Sequence, residues 1–475
     1  MNTIGIVRLG LRAVIETAPI NNVRAIARKL DQERAKGHVR SPLHGVPIIV
    51  KDNYDTDVEL GMHTTAGSYV LLEDGGQVVG DAFVIKRLRN AGAIILAKAN
   101  LDEWSGIRGV NASAWSPRGG QVSSPFVVGG FAAGGNPSGS SSGSGAGVAA
   151  GFAPLALGSD TEGSIIMPAS RGALYAMRPS TGTTSRTGVV PISSSQDTTG
   201  PLGKSAWDVA VALDIMAAMD PDDSYTIPAQ KFRPENYTQF LDSSGFKGLR
   251  VGVVRDPFFS NTTARERKMI SDFDKSLKQI GALGATVLET PLPNKEQWNY
   301  TFVGGPKRQN NGTIQIQYDF KTDIAHYLQT RRRNASVETL EDVINSMVRL
   351  WALESPKGKC CFPTFVAADQ TGDRDTSGEY WLAKYAQERL YEEGPVVLFE
   401  KYDLDVIVLP TEFSASRLGA VGRLPVGTVP LGYDEIQLPY GLSFVGRRYH
   451  EGTVLRAMSA YEAHFPARRV PSTLK

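Results

Sequence analysis

Cysteine is almost absent from these 475 residues: Cys360 and Cys361 are the only two, and they are adjacent. Neighbouring thiols cannot tie distant segments together, so a disulfide-framed fold is excluded. Net charge is equally scarce. The 51 basic and 49 acidic residues leave a balance of +2, which gives no electrostatic basis for a nucleic-acid partner or an acidic membrane surface. The local run Arg331-Arg332-Arg333 reads as a solvated helix face. No apolar stretch approaches the ~18 residues needed to span a bilayer. Arg8 and Arg12 interrupt the place where a secretion leader needs an unbroken apolar core. Together these point to a reducing, cytoplasmic setting. Six N-x-S/T triplets, at Asn111, Asn236, Asn261, Asn299, Asn311 and Asn334, stand against it. The six histidines show no metal-ligand spacing, so no metal and no cofactor is expected.

What the chain does have is enough apolar residue, 41%, for a large core, with 21% charged, which argues against disorder. Helical spacing predicts an amphipathic helix over Leu11–Lys36 and another over Asp81–Ala91, capped by Asp81. Val46–Val50 and Ala93–Ala97 read as short strands, and Gly172–Pro179 and Gly188–Ile192 as further ones. Ser205–Met219 and Ala264–Gly281 read as helices, the second between strands at Leu249–Val254 and Ala285–Leu288. Near the C-terminus, Trp381–Phe399 and Glu451–His464 are helical and Leu404–Leu409 is a buried-type strand. Pro291–Thr376 shows no clear pattern. This alternation predicts an α/β fold: one domain over residues 1–475, with a central mixed, mostly parallel twisted sheet covered by helices. A homodimer stays open.

The densest chemistry lies between Gly134 and Pro168, where GGNPSGSSSGSGAGVAAGFAPLALGSDTEGSIIMP places two Gly/Ser-rich turns around an Ala-rich run. Three readings compete. Gly145-Ala146-Gly147-Val148-Ala149-Ala150 fits a degenerate dinucleotide fingerprint, but that motif needs a strand directly before it, and Asn136–Ser144 is not one. Gly139-Ser140-Ser141-Ser142-Gly143 fits a nucleophile elbow with Ser141 as nucleophile and His450 or His464 as late base, and it meets the same objection. A third reading needs no histidine. A serine can be activated by a lysine held neutral by burial, for which Lys51 at the end of a buried strand is a candidate. The turn Ser159–Ser164 could then supply backbone N–H groups to an oxyanion. Asp52, next along the strand from Lys51, should point to the opposite face. Trp104, Tyr54 and Phe131 are read as core rather than pocket, and Asp197 as a cap or turn residue.

The third reading is carried by a resemblance. Gly139-Ser140-Ser141-x-Gly143-Ser144, Val148-Ala149-Ala150-Gly151 and Gly158-Ser159-Asp160-Thr161-x-Gly163-Ser164-Ile165-x-x-Pro168-Ala169 are similar to the core motif of the amidase-signature family. HGVPIIVKDN, TTAGS, LAKANLDEW, RPSTGTTSRTGVVPISSSQDTTGP and the closing PTEFSASRLGAVGRLPVGTVPLG extend it over most of the chain. The resemblance implies the amidase-signature fold and a Ser–cis-Ser–Lys triad. Ser164 would be the acyl-forming nucleophile, Ser140 the proton-shuttling serine on a cis peptide, and Lys51 the base. Backbone amides of Thr161, Glu162, Gly163 and Ser164 would form the oxyanion hole, Ser105 would approach the substrate, and Asp160 and Ser141 would support the loops. The partner would be a small-molecule amide.

Departures refine the expectation. Glu162 stands where the family has glycine, Ser142 where glycine is common, and Ile166 where many members carry arginine. Without that counter-ion a neutral amide is favoured over a carboxylate-bearing one, and the tRNA-dependent amidotransferase subunit is disfavoured. The N-terminal helices usual before the first matched segment are missing, which implies a truncated start or a more open pocket entrance. An esterase or acyltransferase with the same triad, and a non-catalytic binding subunit, remain as alternatives.

Overall fold

The computed structural model describes residues 10–109, 113–298, 310–356 and 358–474; Asn111 and Asn299 lie outside them. One sheet organises them. Its eleven strands are β1 (Val14–Thr17), β2 (Pro47–Lys51), β3 (Ile94–Ala99), β4 (Leu155–Asp160), β5 (Tyr175–Arg178), β6 (Thr198–Gly203), β7 (Arg250–Val253), β8 (Thr286–Glu289), β9 (Val406–Pro410), β10 (Val426–Tyr433) and β11 (Pro439–Gly446). They lie in the order β1-β3-β2-β4-β6-β5-β10-β11-β9-β7-β8. The sheet is mixed, as expected, but parallel pairing does not dominate. Only β3-β2-β4 and β9-β7-β8 run parallel, through four pairings, and the other six are antiparallel. The antiparallel middle comes from strands that the sequence hides. Thr198–Gly203 contains Gly200 and Pro201, and Leu155–Asp160 continues an Ala-rich run that reads as one segment.

Alternation along the strands builds two cores. Ile49, Ala156, Ala176 and Ile407 face one apolar layer, while Ile48, Val50, Leu155, Leu157, Tyr175, Met177, Val406 and Val408 face the other. Both faces are therefore dry, and this is why β2 and β9 read as continuous apolar runs. The first layer is filled by helices α3 (Ser142–Ala149) and α4 (Ile166–Arg171). The second is covered by α2 (Phe83–Asn90), α5 (Ala206–Met216) and α9 (Glu451–His464).

Several expectations are corrected. Leu11–Lys36 is not one helix: β1 precedes α1 (Ile20–Ala35). Asp81 does not cap α2; its carboxylate accepts from the Asp57 amide at 2.7 Å and pairs with Arg89. Gly188–Ile192 forms no strand beyond one bridge from Val189 to Tyr54, because Pro191 has no N–H and the Ile192 amide donates to Asp197. The described part of the unpatterned stretch Pro291–Thr376 is largely helical, with α7 at Asn311–Arg331 and shorter helices at Leu340–Arg349 and Pro363–Asp369, while α6 (Ala264–Ala282) and α8 (Gly378–Tyr391) fall on expected helices. Helix α7 buries Gln315, Gln317 and Asp319 beside its apolar residues, so hydrophobic periodicity does not announce it. Arg332 is not solvated either; its guanidinium is buried and donates to the Thr64 carbonyl at 2.5 Å. Cys360 and Cys361 are joined only to each other. No helix among the described residues is long and apolar enough to cross a membrane.

Candidate active site

Lys51 ends β2 on the same face as Ile49, and so points toward the layer that holds α3. Parallel pairing of Val50 with Leu157 sets the end of β2 beside Ser159 of β4. Lys51 is fully buried. Its Nζ lies 2.6 Å from Ser140 Oγ, 2.9 Å from Ser159 Oγ and 3.3 Å from the Ser159 carbonyl oxygen. Asp52 faces away, as expected, accepting from the Gly67 amide at 3.0 Å with Lys98 Nζ at 3.8 Å.

Ser140 follows two residues in the left-handed region, Ser138 at φ +58° and Gly139 at φ +59°. A side chain on Gly139 would meet Pro168 Cδ at 2.5 Å, so glycine lets the serine loop settle on α4. These two residues turn the chain with both peptide bonds of Ser140 trans, which corrects the expected cis bond: among the described residues only Asp256–Pro257 and Cys360–Cys361 are cis. The Ser140 amide donates to Ser164 Oγ at 3.2 Å and the Ser141 amide to the Ser164 carbonyl at 3.2 Å. The serine loop and the second turn are thus in direct contact, and Ser140 meets both partners through different atoms, Lys51 through its hydroxyl and Ser164 through its backbone amide. Ser141 stands apart. Its hydroxyl is fully buried and donates to the Ser159 carbonyl at 3.2 Å. His464 contacts the Ser243 carbonyl and His450 precedes α9, so neither meets Ser141. The elbow reading finds no base.

The second turn is braced by Asp160. One carboxylate oxygen accepts from the Gly163 amide and the other from the Ile165 amide, each at 2.7 Å. Fully buried Arg178 neutralises that carboxylate at 3.0 Å and donates to the Asp160 carbonyl at 2.7 Å. Gly163 sits at φ +88° with Ser416 packed over it. Its N–H is committed to Asp160, so among the four proposed oxyanion donors it supplies the turn rather than a free donor. The amides of Thr161, Glu162 and Ser164 meet no acceptor among the described residues. Thr161 is held from the other side, its hydroxyl donating to Asp197 at 2.5 Å while Asp197 accepts the amides of Ile192 and Ser193.

Burial sets the electrostatics. It lowers the Lys51 ammonium to a pKa of about 7, against the pull of Asp102, Asp160 and Asp197, which favour the charged form. Asp102, whose amide donates to the Ser140 carbonyl at 3.1 Å, is itself raised to about 7 by burial. Ser159, Asp102 and Asp197 are the site residues that sequence reasoning gave no such role. Ser159 and Asp102 lie inside the matched segments GSDT and LDEW, and that neighbourhood is the only signal for them.

A cavity of about 520 Å³ opens beside the turn, lined by Ser159, Thr161, Ser105, Val190, Ile192 and Tyr327. Ser164 is outside that lining, its hydroxyl turned toward the Ser140 amide. Ser105 reaches the cavity through left-handed backbone at φ +55°. Trp104 and Tyr54 are core, as expected: Trp104 meets Phe365 edge-on, and the Tyr54 hydroxyl donates to the Gly158 carbonyl at 2.5 Å. Phe131 packs, partly buried, against a separate small cluster. Ile166 is fully buried in the first layer. The cavity's two guanidinium groups are both committed, Arg186 to Asp223 at 2.5 Å and Arg331 to Asp55 at 3.1 Å. Among the described residues, no group of three or more His, Cys, Asp and Glu could hold a metal ion.

This geometry can be set beside known proteins. The family model described as Amidase matches residues 10–455. A protein of Arabidopsis thaliana described as a probable amidase is 37% identical over 97% of this chain and 84% of its own length. A glutamyl-tRNA(Gln) amidotransferase subunit from Moorella thermoacetica is 31% identical over 92% of this chain and 86% of its own. The crystal structure of the native peptide amidase of Stenotrophomonas maltophilia superposes with a TM-score of 0.87 at 33% identity, covering 98% of this chain and 91% of that one.

Proposed function

Because the chain belongs to the amidase family and hydrolyses the carbon–nitrogen bond of carboxylic amides, we propose that Ser164 is its acyl-forming nucleophile, Ser140 its proton shuttle and Lys51 its base. The observation that carries this is the place of Ser140 between the other two, its Oγ 2.6 Å from Lys51 Nζ and its amide donating to Ser164 Oγ at 3.2 Å, which puts its hydroxyl within a side-chain rotation of Ser164. A neutral amine has two donors and one lone pair. At Lys51 the donors suit the two Ser159 oxygens and the lone pair suits the Ser140 hydroxyl. As Ser164 Oγ bonds to the amide carbon, its proton passes to Ser140, whose own proton goes to Lys51. The carbonyl oxygen takes up negative charge and meets the free amides of Thr161, Glu162 and Ser164. Collapse breaks the C–N bond while Ser140 protonates the departing amine and regains a proton from Lys51. Water then enters by the same relay, cleaves the acyl-enzyme and releases the acid. The whole of residues 1–475 is taken as one amidase-signature domain, a reading supported by the single sheet that holds both β1 and β11.

The test is to trap the enzyme with a serine-reactive phosphonate and map the label. Adduct on Ser164 is expected, and adduct on Ser141 would overturn the assignment. We further propose a neutral, largely apolar acyl or peptide-like amide as substrate, a reading supported by the Val190 and Ile192 wall, by the absence of a cation at Ile166, and by the pairing of Arg186 and Arg331. A panel of matched amides should show a preference of about tenfold or more in kcat/KM for neutral acyl groups over carboxylate-bearing ones. Equal rates across the panel would refute this substrate class.

A further inference from the structure

Glu162 puts a carboxyl group in a turn whose task is to meet negative charge. Its backbone supplies one of the three free amides, but its side chain has no part in the relay above. The residue is half-buried, and its Oε2 is sealed from solvent without a hydrogen-bond partner. Three charged groups face it: Arg417 on the helix Ser416–Gly422, Asp160 at the end of β4, and Arg178 on β5. Arg178 is already committed to Asp160 and to the Gln196 carbonyl, and Arg417 donates to the Trp298 carbonyl at 3.0 Å.

We infer that the Glu162 side chain is compatible with the oxyanion turn only as an uncharged acid, and that its ionisation shuts the turn down. The inference rests on the acyl-transfer reading above. An anion one residue from the oxyanion donors opposes the charge they must stabilise, in a site screened from water. Burial and the Asp160 carboxylate raise the Glu162 acid to about 8, while Arg417 and Arg178 pull the other way. The neutral carboxyl and the neutral Lys51 amine thus coexist in a window between about pH 7 and about pH 8. Activity then requires one group deprotonated and the other protonated, which gives a bell rather than a plateau.

The experiment is the pH profile of kcat and kcat/KM on a neutral aryl amide for the wild type, Glu162→Gln and Glu162→Asp, with phosphonate labelling on the same samples. For the wild type, kcat at about pH 9.5 should be about tenfold or more below that at about pH 7.5, with KM little changed. Glu162→Gln should lose this alkaline fall and keep the acid one, and Glu162→Asp should retain both. A wild-type rate that stays level above pH 8, or an alkaline fall that persists in the glutamine variant, overturns the inference. The wild-type profile alone decides the matter if the glutamine variant does not fold. Label missing from Ser164 would instead defeat the acyl-transfer reading, so the two failures are told apart.

Discussion

Ser164→Ala is expected to lower kcat/KM by about four orders of magnitude or more while leaving the melting temperature within a few degrees of the wild type. The Ser164 hydroxyl accepts a single hydrogen bond, from the Ser140 amide, and is half-buried, so its removal leaves little unsatisfied. The Asp160 clamp on Gly163 and Ile165 needs only backbone and survives the change. The chemistry does not survive, because no second hydroxyl can take the place. Ser140 touches Lys51, and Ser141 is buried against the Ser159 carbonyl. The control is Ser141→Ala, which removes a hydrogen bond worth about 1 kcal/mol and should cost less than about tenfold in rate. Steady-state kinetics with circular dichroism on both variants checks the pair. Comparable losses at Ser141 and Ser164 would rule out the assignment of nucleophile.

The two turns of the candidate site are marked more plainly in the sequence than the strands that carry them, and the reason is physical. Close approach of backbone to backbone demands small residues at fixed positions, so Ser138–Ser144 and Ser159–Ser164 stand out in composition. Buried strands carry no such mark. Leu155–Asp160 lies between two apolar layers, and Thr198–Gly203 hides behind glycine and proline, so the antiparallel centre of the sheet could not be read. Helix α7 was lost for the opposite reason: it buries polar side chains such as Asp319, which accepts from the Ser193 hydroxyl at 2.6 Å, and its periodicity is blurred. The peptide bonds of Ser140 show a different limit. The resemblance implied a cis bond, and the left-handed pair Ser138 and Gly139 turns the chain without one. Local composition marks the two turns, whereas conformation that depends on long-range packing leaves no such mark.

Lys51→Met should combine a large loss of activity with a gain in stability, and this pairing distinguishes a catalytic base from a structural cation. Methionine matches the length of the lysine stem, so the packing against Ile49 and α3 is kept. Without Nζ the Ser140 hydroxyl has no proton acceptor, and the rate should fall by about three orders of magnitude. In the wild type, only the neutral amine can accept the proton from Ser140. Since burial lowers the Lys51 pKa to about 7, the rate should fall about tenfold per pH unit below that value, and the variant's residual rate should not follow this limb. Stability moves the other way. Between the folded value near 7 and the ordinary lysine value, the unfolded chain binds a proton that the folded one does not, so wild-type stability rises with pH across that window. Below it the cost of burying the group is fully present, and methionine does not pay it. At neutral pH the variant should therefore be more stable, on the order of a few kcal/mol, and the difference should narrow as pH approaches about 10. Denaturant melts of both proteins at about pH 7 and about pH 10 provide the measurement. A variant that is less stable at pH 7 would mean that Lys51 is held charged to support the fold, and the lysine base would have to be abandoned.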